Sequence, residues 1–317
     1  MLQKLTKPVS LWQLSRGIKT NPQHVHFPPF KQPMMSADSF KGQTILVTGG
    51  ATGLGKGMAT MLSSLGAKVC IASRNEKALQ DTCSEISTMT NNKVFYYSMD
   101  IRDHEKVFSV ADQFEKDHGI PNVVINNAAG NFIAPSERLS PKGFNTVTSI
   151  VLQGTFNVTS AFGKKMIKEK TGGTFLNITV SGFKGTGFVL PSACAKAGVD
   201  AMTYSLASEW GRYGIRLNSI GPGPIYTKGA FSRLDPGGEG TNKMVDQLPV
   251  GRVGEVEELA NLACFLVHPA SSWLTGQRID LDGGLTNYMG GMFNGLSVIT
   301  PEQWDMIEKM IRSTKGS

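Results

Sequence analysis

Three glycines near residue 50 have the spacing of a phosphate-binding turn. The segment TGGATGLGKGMA places Gly49, Gly53 and Gly55 in the pattern GxxxGxG, between an apolar run and a helical stretch. Glycines at such a junction allow a tight turn, and the N–H groups that begin the helix can then approach a pyrophosphate. The residues expected to bind a dinucleotide here are Gly49, Gly50, Ala51, Thr52, Gly53 and Leu54.

The end of the next apolar run indicates which dinucleotide this is. There the sequence IASRNEK has Ser73 and Arg74 and no acid before Glu76. An acid at this point would bind the 2′-hydroxyl of NAD, whereas a basic residue accommodates the 2′-phosphate of NADP. The pattern favours NADP(H) held by Arg74, with a solvated arginine as the alternative. Asp100, which closes the third run, is expected either beside the adenine or as a helix N-cap.

The elements that must position these motifs alternate along the chain. The runs expected to form strands are residues 43–50, 68–74, 93–100, 122–128, 173–179, 215–223 and 278–284. Several are nearly continuously apolar, as in parallel strands that are covered on both faces. Between them, Val199, Met202, Leu206 and Trp210 form one apolar helical stripe. The alternation predicts a single doubly wound α/β Rossmann domain with a seven-stranded parallel sheet.

Composition changes at both ends of that domain. Residues 1–36 begin with a basic segment without acids and continue into the Pro-rich HFPPFKQP. This is typical of a mitochondrial transit peptide and linker, with a disordered basic tail as the alternative. We therefore predict a domain over residues 37–317, with a Gly- and Pro-rich lid near 226–250 and a tail over 285–317. The expected location is the mitochondrial matrix, with the peroxisome or cytoplasm as alternatives.

The charge and the cysteines argue against several other classes of function. Five positive charges precede Asp38, so only +2 of the net charge of +7 belongs to the remainder, which does not indicate nucleic-acid binding. The four cysteines have no CxxC spacing that would suggest zinc or a disulfide framework. The longest uncharged run is too polar to cross a bilayer. We expect no metal, no nucleic-acid partner and no membrane insertion.

Together with the glycine turn, the ordered motifs INNAAGN, AKAG and GPGPI resemble the short-chain dehydrogenase/reductase family over residues 41–285. The resemblance implies that Lys196 anchors the nicotinamide ribose. It adds the GPGPI residues Pro222, Gly223, Pro224 and Ile225 to the cofactor site. The common signature of the family is Tyr-x-x-x-Lys, in which the tyrosine donates a proton. Counting back from Lys196 places Ser192 at the tyrosine position.

Serine at that position is shared by the 2,4-dienoyl-CoA reductase branch of the family. NNAAGNFIAPSERLSPKGFNTV, PGPIYTKGAFSRLDP and the C-terminal TPEQWDMIEKMIRSTKGS are also similar to that branch, especially to its mitochondrial type. The resemblance implies a homotetramer that reduces dienoyl-CoA to 3-enoyl-CoA with NADPH in β-oxidation. It implies that Asn131 donates to the thioester oxygen and that Ser192 supports it. The residues expected to bind the acyl-CoA are Arg102, Phe132, Ser140 and Arg233.

The proton donor of that branch is missing from this sequence. The mitochondrial relatives have a tyrosine where this chain has Ser181 or Gly182, and the peroxisomal relatives use an aspartate where this chain has Val151. The substitutes left open are a water held by Asn131, Ser192 and Lys196, direct participation of Ser181, and Tyr226 from the lid. Protonating a dienolate demands less of an acid than stabilising an alkoxide, so a slower enzyme is compatible with the loss.

Two alternative functions remain open. One is a reductase of another acyl thioester or of a carbonyl compound. The other is a catalytically impaired homologue that binds NADP(H) or acyl-CoA. The intact glycine turn, Arg74, Asn131 and Lys196 favour an enzyme, whereas the missing tyrosine favours the impaired homologue.

Overall fold

A seven-stranded sheet, parallel throughout, forms the centre of the computed structural model, which describes residues 18–182, 186–227, 229, 235 and 239–314. The strands are β1 (Thr44–Thr48), β2 (Lys68–Ser73), β3 (Phe95–Ser98), β4 (Val123–Asn126), β5 (Gly173–Ile178), β6 (Ile215–Pro222) and β7 (Gln277–Leu281). Their order is β3-β2-β1-β4-β5-β6-β7. The predicted doubly wound fold is confirmed, and its switch point lies between β1 and β4.

Helices cover both faces of the sheet. They include α1 (Gly53–Ser64), α2 (Glu76–Thr90), α3 (His104–His118), α4 (Pro141–Thr148), α5 (Gly154–Glu169), α6 (Leu190–Trp210), α7 (Glu239–Val245), α8 (Val256–Val267), α9 (Leu285–Gly290) and α10 (Pro301–Ser313). Ile45 and Val47 of β1 enter the buried cluster beneath α1, α2 and α8, and Leu46 enters the cluster beneath α3 and α5. Because neighbouring strand residues point to opposite faces, a strand covered on both sides reads as continuously apolar.

The starts of the helices are set by local hydrogen bonds. Asn75, Asp103 and Ser140 cap α2, α3 and α4, and each side chain accepts at 3.0 Å from the backbone N–H three residues later. By contrast, the residue before α6, Val189, supplies no side-chain cap, and the first turn of that helix has no acid. Within the described part of the chain, the N-terminal N–H groups of α6 therefore have no side-chain cap.

Residues 18–34, which we call the N-terminal strap, lie against α7, α8 and the loop between them. The backbone N–H of Asn21 donates to the carbonyl of Gly251 at 2.8 Å. Further along, the side chain of Asn261 in α8 accepts from the N–H of Met34 at 2.8 Å and donates to the carbonyl of Gln32 at 2.9 Å. The strap is thereby held at two separate points.

Near its start, the strap also contacts the base of the predicted lid. Ile18 packs against the small cluster of Val245, Leu248 and Leu285, and the ammonium of Lys19 lies 2.6 Å from the carboxylate of Asp246. The domain boundary at residue 37 and the transit peptide stay predictions, because residues 1–17 lie outside the described part of the chain.

The predicted lid is described only in part. Before α7, the carboxylate of Asp235 accepts from the backbone N–H of Thr241 at 2.7 Å. Beyond β7, α10 contains no buried residue. Over the ranges that the structure describes, no helix has both the length and the apolarity needed to cross a membrane.

Candidate active site

The glycine turn leads directly from β1 into α1. Gly49 (φ +64°) and Gly53 (φ +55°) both have left-handed backbone conformations. A Cβ at Gly49 would lie 2.9 Å from the Cα of Ala128, so a side chain there would displace backbone. Thr52 gives α1 no side-chain cap, and the first turn of α1 has no acid. The N-terminal N–H groups of α1 are therefore available to a phosphate, and the turn leaves room for its close approach.

The NNAAG segment after β4 is hydrogen-bonded to this turn. The hydroxyl of Thr48 accepts from the backbone N–H groups of Asn127 at 3.0 Å and Ala128 at 3.1 Å. In return, Nδ2 of Asn127 donates to the carbonyl oxygens of Thr48 at 3.0 Å and Gly49 at 3.3 Å. Two motifs that are separate in the sequence thus form one rigid floor at the switch point, where α/β sheets bind dinucleotides.

The ends of β2 and β3 lie where the adenosine of a dinucleotide is expected. Arg74 is exposed, whereas Asp100 is engaged by Arg102, whose Nη2 lies 2.5 Å from the carboxylate. This hydrogen bond is the main reason that the pKa of Asp100 is lowered. Asp103, not Asp100, caps the following helix. The structure therefore brings Arg102 to Asp100, and its predicted contact with acyl-CoA stays a prediction.

The hydroxyl group of Ser73 lies at the same end of the cleft and has an unsatisfied hydrogen-bonding capacity. Its Oγ is buried and has no hydrogen-bond partner among the described residues. Buried hydroxyl groups rarely have no partner, so this atom indicates a place where a ligand could accept a hydrogen bond. The residues present fit a phosphorylated ribose, with Ser73 as a donor and Arg74 as a cation.

Lys196 is buried where β5 ends. Its side chain is 7% exposed, and Nζ donates to the carbonyl oxygen of Ile178 at 2.5 Å. Burial lowers the pKa of Lys196 to about 8, and the carboxylate of Asp200, one helical turn further along α6, opposes that shift. The ammonium is thus fixed at the carboxyl edge of the sheet, which is the edge that also carries the glycine turn.

Ser192 precedes this lysine by one turn of α6, and Ser181 follows the end of β5; both residues are 8% exposed. Ser192 lies in the first turn of α6, two residues after the start of the helix, so it is not its N-cap. The backbone N–H of Ser181 donates to the carbonyl of Pro222 at 3.1 Å, which ties it to the predicted cofactor segment. Val151, which the resemblance places at the position of the peroxisomal aspartate, packs in the core with Val147.

The loop after NNAAG carries the residues predicted to contact the thioester. Oδ1 of Asn131 accepts from the backbone N–H of Phe132 at 2.9 Å, which directs the amide nitrogen away from that contact. Phe132 is partly buried against the cluster of Val147, Val151, Ala195 and Val199, which includes residues of α4 and α6. Ser140 caps α4, as described above, and Arg233 lies outside the described residues. Asn131 and Phe132 are therefore positioned beside α6, whereas Ser140 has an evident structural role.

The GPGPI segment continues the cleft beyond β6. Its backbone is held by the bond from the N–H of Gly223 to the carbonyl of Leu281, at 2.9 Å. A Cβ on Gly53 would lie 3.6 Å from Cγ2 of Thr227. The residues just after Ile225 therefore lie over the glycine turn, as expected for a segment that covers a cofactor.

Sequence reasoning missed two buried polar groups near the site. Asn126 and Asn177 are opposite each other on β4 and β5, and Nδ2 of Asn126 donates to Oδ1 of Asn177 at 2.9 Å. The second group surrounds Asp200, which is only 3% exposed. In the sequence, both groups could have been found as polar residues at positions where strands and helices are otherwise apolar.

Across the described ranges, no group of three or more His, Cys, Asp or Glu side chains could hold a metal.

Comparison with known proteins agrees with this geometry. Residues 49–286 match the family described as enoyl-(acyl carrier protein) reductase. A probable 2,4-dienoyl-CoA reductase of Caenorhabditis elegans that produces (3E)-enoyl-CoA is 43% identical over 296 residues, which is 92% of this chain and 96% of the relative.

Solved structures with the same fold are also similar in sequence. A short-chain dehydrogenase from Bacillus anthracis str. 'Ames Ancestor' is 37% identical, with a TM-score of 0.70, over 79% of this chain and 98% of its own. A gluconate 5-dehydrogenase from Burkholderia cenocepacia J2315, in complex with NADP and tartrate, is 29% identical, with a TM-score of 0.74, over 78% and 96% of the two chains. With its glycine turn, its buried lysine and this similarity, the chain belongs to the short-chain dehydrogenase/reductase family of nicotinamide-dependent oxidoreductases.

Proposed function

We propose that this protein reduces 2,4-dienoyl-CoA thioesters to 3-enoyl-CoA with NADPH. The observation that carries the proposal is a buried Lys196 at the end of β5, combined with serine instead of tyrosine at position 192. A carbonyl reductase must protonate a developing alkoxide and needs the phenol, whereas a conjugated thioester delocalises the charge to its own oxygen. The name of the Caenorhabditis elegans relative supports the same substrate class.

The preference for NADPH rests on the adenosine side of the cleft. Asp100, the nearby carboxylate, is paired with Arg102, which leaves the exposed Arg74 available for a 2′-phosphate. The unsatisfied hydroxyl of Ser73 supplies a donor beside it. A cation and a hydroxyl donor suit a phosphate, whereas a site for NAD needs an acid that accepts from the ribose hydroxyls.

Bound NADPH supplies the hydride that adds at the far end of the diene. The role of this chain is to stabilise the negative charge that reaches the thioester oxygen. Because Oδ1 of Asn131 is occupied by the N–H of Phe132, its amide N–H₂ group remains a donor. Ser192 lies in the first turn of α6, where the helix has no acid and presents its positive end. We assign Asn131 as the donor to the thioester oxygen and Ser192 as its support.

The proton that completes the reaction must reach the carbon next to the thioester. We assign it to a water held by Asn131, Ser192 and the ammonium of Lys196. Ser181 is the second candidate, although an aliphatic hydroxyl is a far weaker acid than a phenol. Tyr226, beside the GPGPI segment, is the third. A water-mediated route would make this enzyme slower than relatives that have a phenol.

The remaining assignments concern the acyl-CoA, the assembly and the compartment. Phe132 would line the acyl chain, and Arg102 and Arg233 would bind the CoA phosphates. Arg102 would have to share or leave its contact with Asp100 to do so. We further propose a homotetramer in the mitochondrial matrix, supported by the basic, acid-free composition of residues 1–36.

The test is NADPH oxidation by the purified chain beginning at residue 18, so that the N-terminal strap is retained. A short 2,4-dienoyl-CoA should be turned over and give 3-enoyl-CoA. The matched comparisons are a 2-enoyl-CoA without the second double bond and a simple ketone, which should be turned over far more slowly. Faster turnover of either comparison substrate would replace the dienoyl assignment. NADPH binding without oxidation by any of them would identify a catalytically impaired homologue.

A further inference from the structure

A buried group of charged side chains lies directly behind Lys196. Asp200 follows Lys196 by one turn on α6, and the two side chains are 3% and 7% exposed. Oδ1 of Asp200 accepts from the hydroxyl of Ser219 at 2.6 Å, and Oδ2 lies 3.2 Å from Nε of Arg278. Burying a carboxylate costs free energy unless the group is paired and hydrogen-bonded. We therefore looked for a function of Asp200 that would explain why a charged residue is buried here.

The group also reaches the backbone on which the candidate site depends. Arg278 on β7 pairs with Asp280 at 2.7 Å, and its Nη2 donates to the carbonyl of Val180 at 2.8 Å. Val180 immediately precedes Ser181, and Lys196 binds the carbonyl two residues before Val180. The backbone at the end of β5 therefore accepts from two cations, Lys196 at Ile178 and Arg278 at Val180, and Asp200 pairs with the second and follows the first by one helical turn.

A glycine on the neighbouring strand β6 leaves space for the contact between Arg278 and the carbonyl of Val180. Gly221 on β6 is paired with Asp280 in the sheet register. A Cβ at Gly221 would lie 3.1 Å from both Nη2 of Arg278 and the carbonyl oxygen of Val180. Any larger residue would therefore press on the contact between the arginine and the backbone. The arrangement uses residues from β5, β6, β7 and α6, so it is fixed by tertiary structure and not by one helix.

We propose that Asp200 is a positioning residue that keeps Lys196 charged and directed toward the nicotinamide ribose. Its carboxylate supplies the negative charge that burial of the lysine requires, while Arg278 and Ser219 keep that carboxylate ionised. The proposal rests on the proposed function and on the ribose-anchoring role that the family resemblance implies for Lys196. It does not depend on which acyl substrate is reduced.

The electrostatics of the two groups agree with this geometry. Burial lowers the pKa of Lys196 to about 8, and Asp200 is the group that opposes the change. Burial likewise raises the pKa of Asp200, against the hydrogen bond from Ser219 and the charge of Arg278. Of the other titratable groups nearby, Tyr204 on α6 interacts with Asp200, and Asp280 on β7 pairs with Arg278.

The experiment measures the dissociation constant of NADPH, by cofactor fluorescence, between pH 6.5 and 9.5. The affinity of the wild-type protein for NADPH should fall as the pH rises and Lys196 loses its proton. In Asp200→Asn, the midpoint of that fall should move to lower pH by roughly one unit, because an opposite charge nearby is removed. Asp200→Glu should restore the wild-type midpoint. Tyr204→Phe, which removes a hydroxyl near Asp200 but no charge, should not move it.

A merely structural Asp200 would weaken NADPH binding equally at every pH, and that result would overturn the proposal. Should Asp200→Asn fail to fold, Asp200→Ser tests the same point with a smaller neutral side chain that keeps a hydroxyl near Ser219. The midpoint should again move to lower pH, and an unchanged midpoint would contradict us. Lys196→Met should bind NADPH weakly without this pH dependence; wild-type binding by that variant would refute the role of Lys196 itself.

Discussion

The contact between the glycine turn and the NNAAG segment can be tested with a matched pair of alanine substitutions. Gly49 and Gly53 have nearly the same backbone conformation, with φ of +64° and +55°. Their surroundings differ. A Cβ at Gly49 would be 2.9 Å from the Cα of Ala128, whereas at Gly53 the nearest atom would be Cγ2 of Thr227 at 3.6 Å. Gly53→Ala therefore measures the conformational cost alone, and Gly49→Ala adds the collision.

The expected magnitudes follow from these distances. A non-glycine residue in the left-handed region costs about 1–2 kcal/mol, which applies to both variants. Overpacking against backbone costs about 1–3 kcal/mol more, which applies only to Gly49→Ala. Taking roughly 2 °C per kcal/mol for a domain of this size, Tm should fall by about 2–4 °C for Gly53→Ala and about 4–10 °C for Gly49→Ala.

The assay is thermal unfolding of the chain beginning at residue 18, without and with saturating NADPH. Gly49→Ala should also lose more of the stabilisation that NADPH gives, because its turn must move away from Ala128 and toward the phosphate. Equal losses of Tm in the two variants would show that the turn does not lie against Ala128. In that case the rigid floor formed by Thr48 and Asn127 would be refuted.

Three further predictions concern the cofactor, the thioester and the strap. Arg74→Asp should weaken NADPH binding about 10- to 100-fold and favour NADH, since a charged hydrogen bond contributes about 1.5–3 kcal/mol; retained preference for NADPH would contradict the phosphate contact. Asn131→Ala should lower kcat with dienoyl-CoA by about 10²–10³ with little change in the Kd of NADPH; an unchanged kcat would remove Asn131 from the site. Asn261→Leu should cost about 1–3 kcal/mol in a chain beginning at residue 18 and much less in one beginning at residue 35. Equal costs in unfolding experiments would show that Asn261 does not hold the strap.

Much of the fold follows from short-range patterns in the sequence. The continuous apolar runs identify strands covered on both faces, and the glycine turn fixes where the first strand meets the first helix. The parallel order then brings the ends of β1, β4, β5 and β6 to one edge. This is why Gly49, Asn131 and Lys196 could be assigned to one cleft without any knowledge of their distances.

Contacts made by long side chains could not be predicted in the same way. The ion pair of Arg102 with Asp100, two residues before it, was not foreseen, because the expected contact of Arg102 with the CoA took no account of a nearby carboxylate that competes for the same guanidinium. Asp200 and Arg278 are 78 positions apart and meet through the register of β6 and β7. No periodicity within one helix or strand reveals such a pair, since its partners belong to different elements.

The N-terminal strap also constrains the order in which the chain can complete its structure. Its hydrogen bonds join Lys19 to Asn242 and Gln32 to Asn261, which are 223 and 229 positions away. Closing so long a loop has to wait until α7 and α8 are in place. The strap is thus among the last parts of the described chain to dock, although it precedes the whole sheet in the sequence.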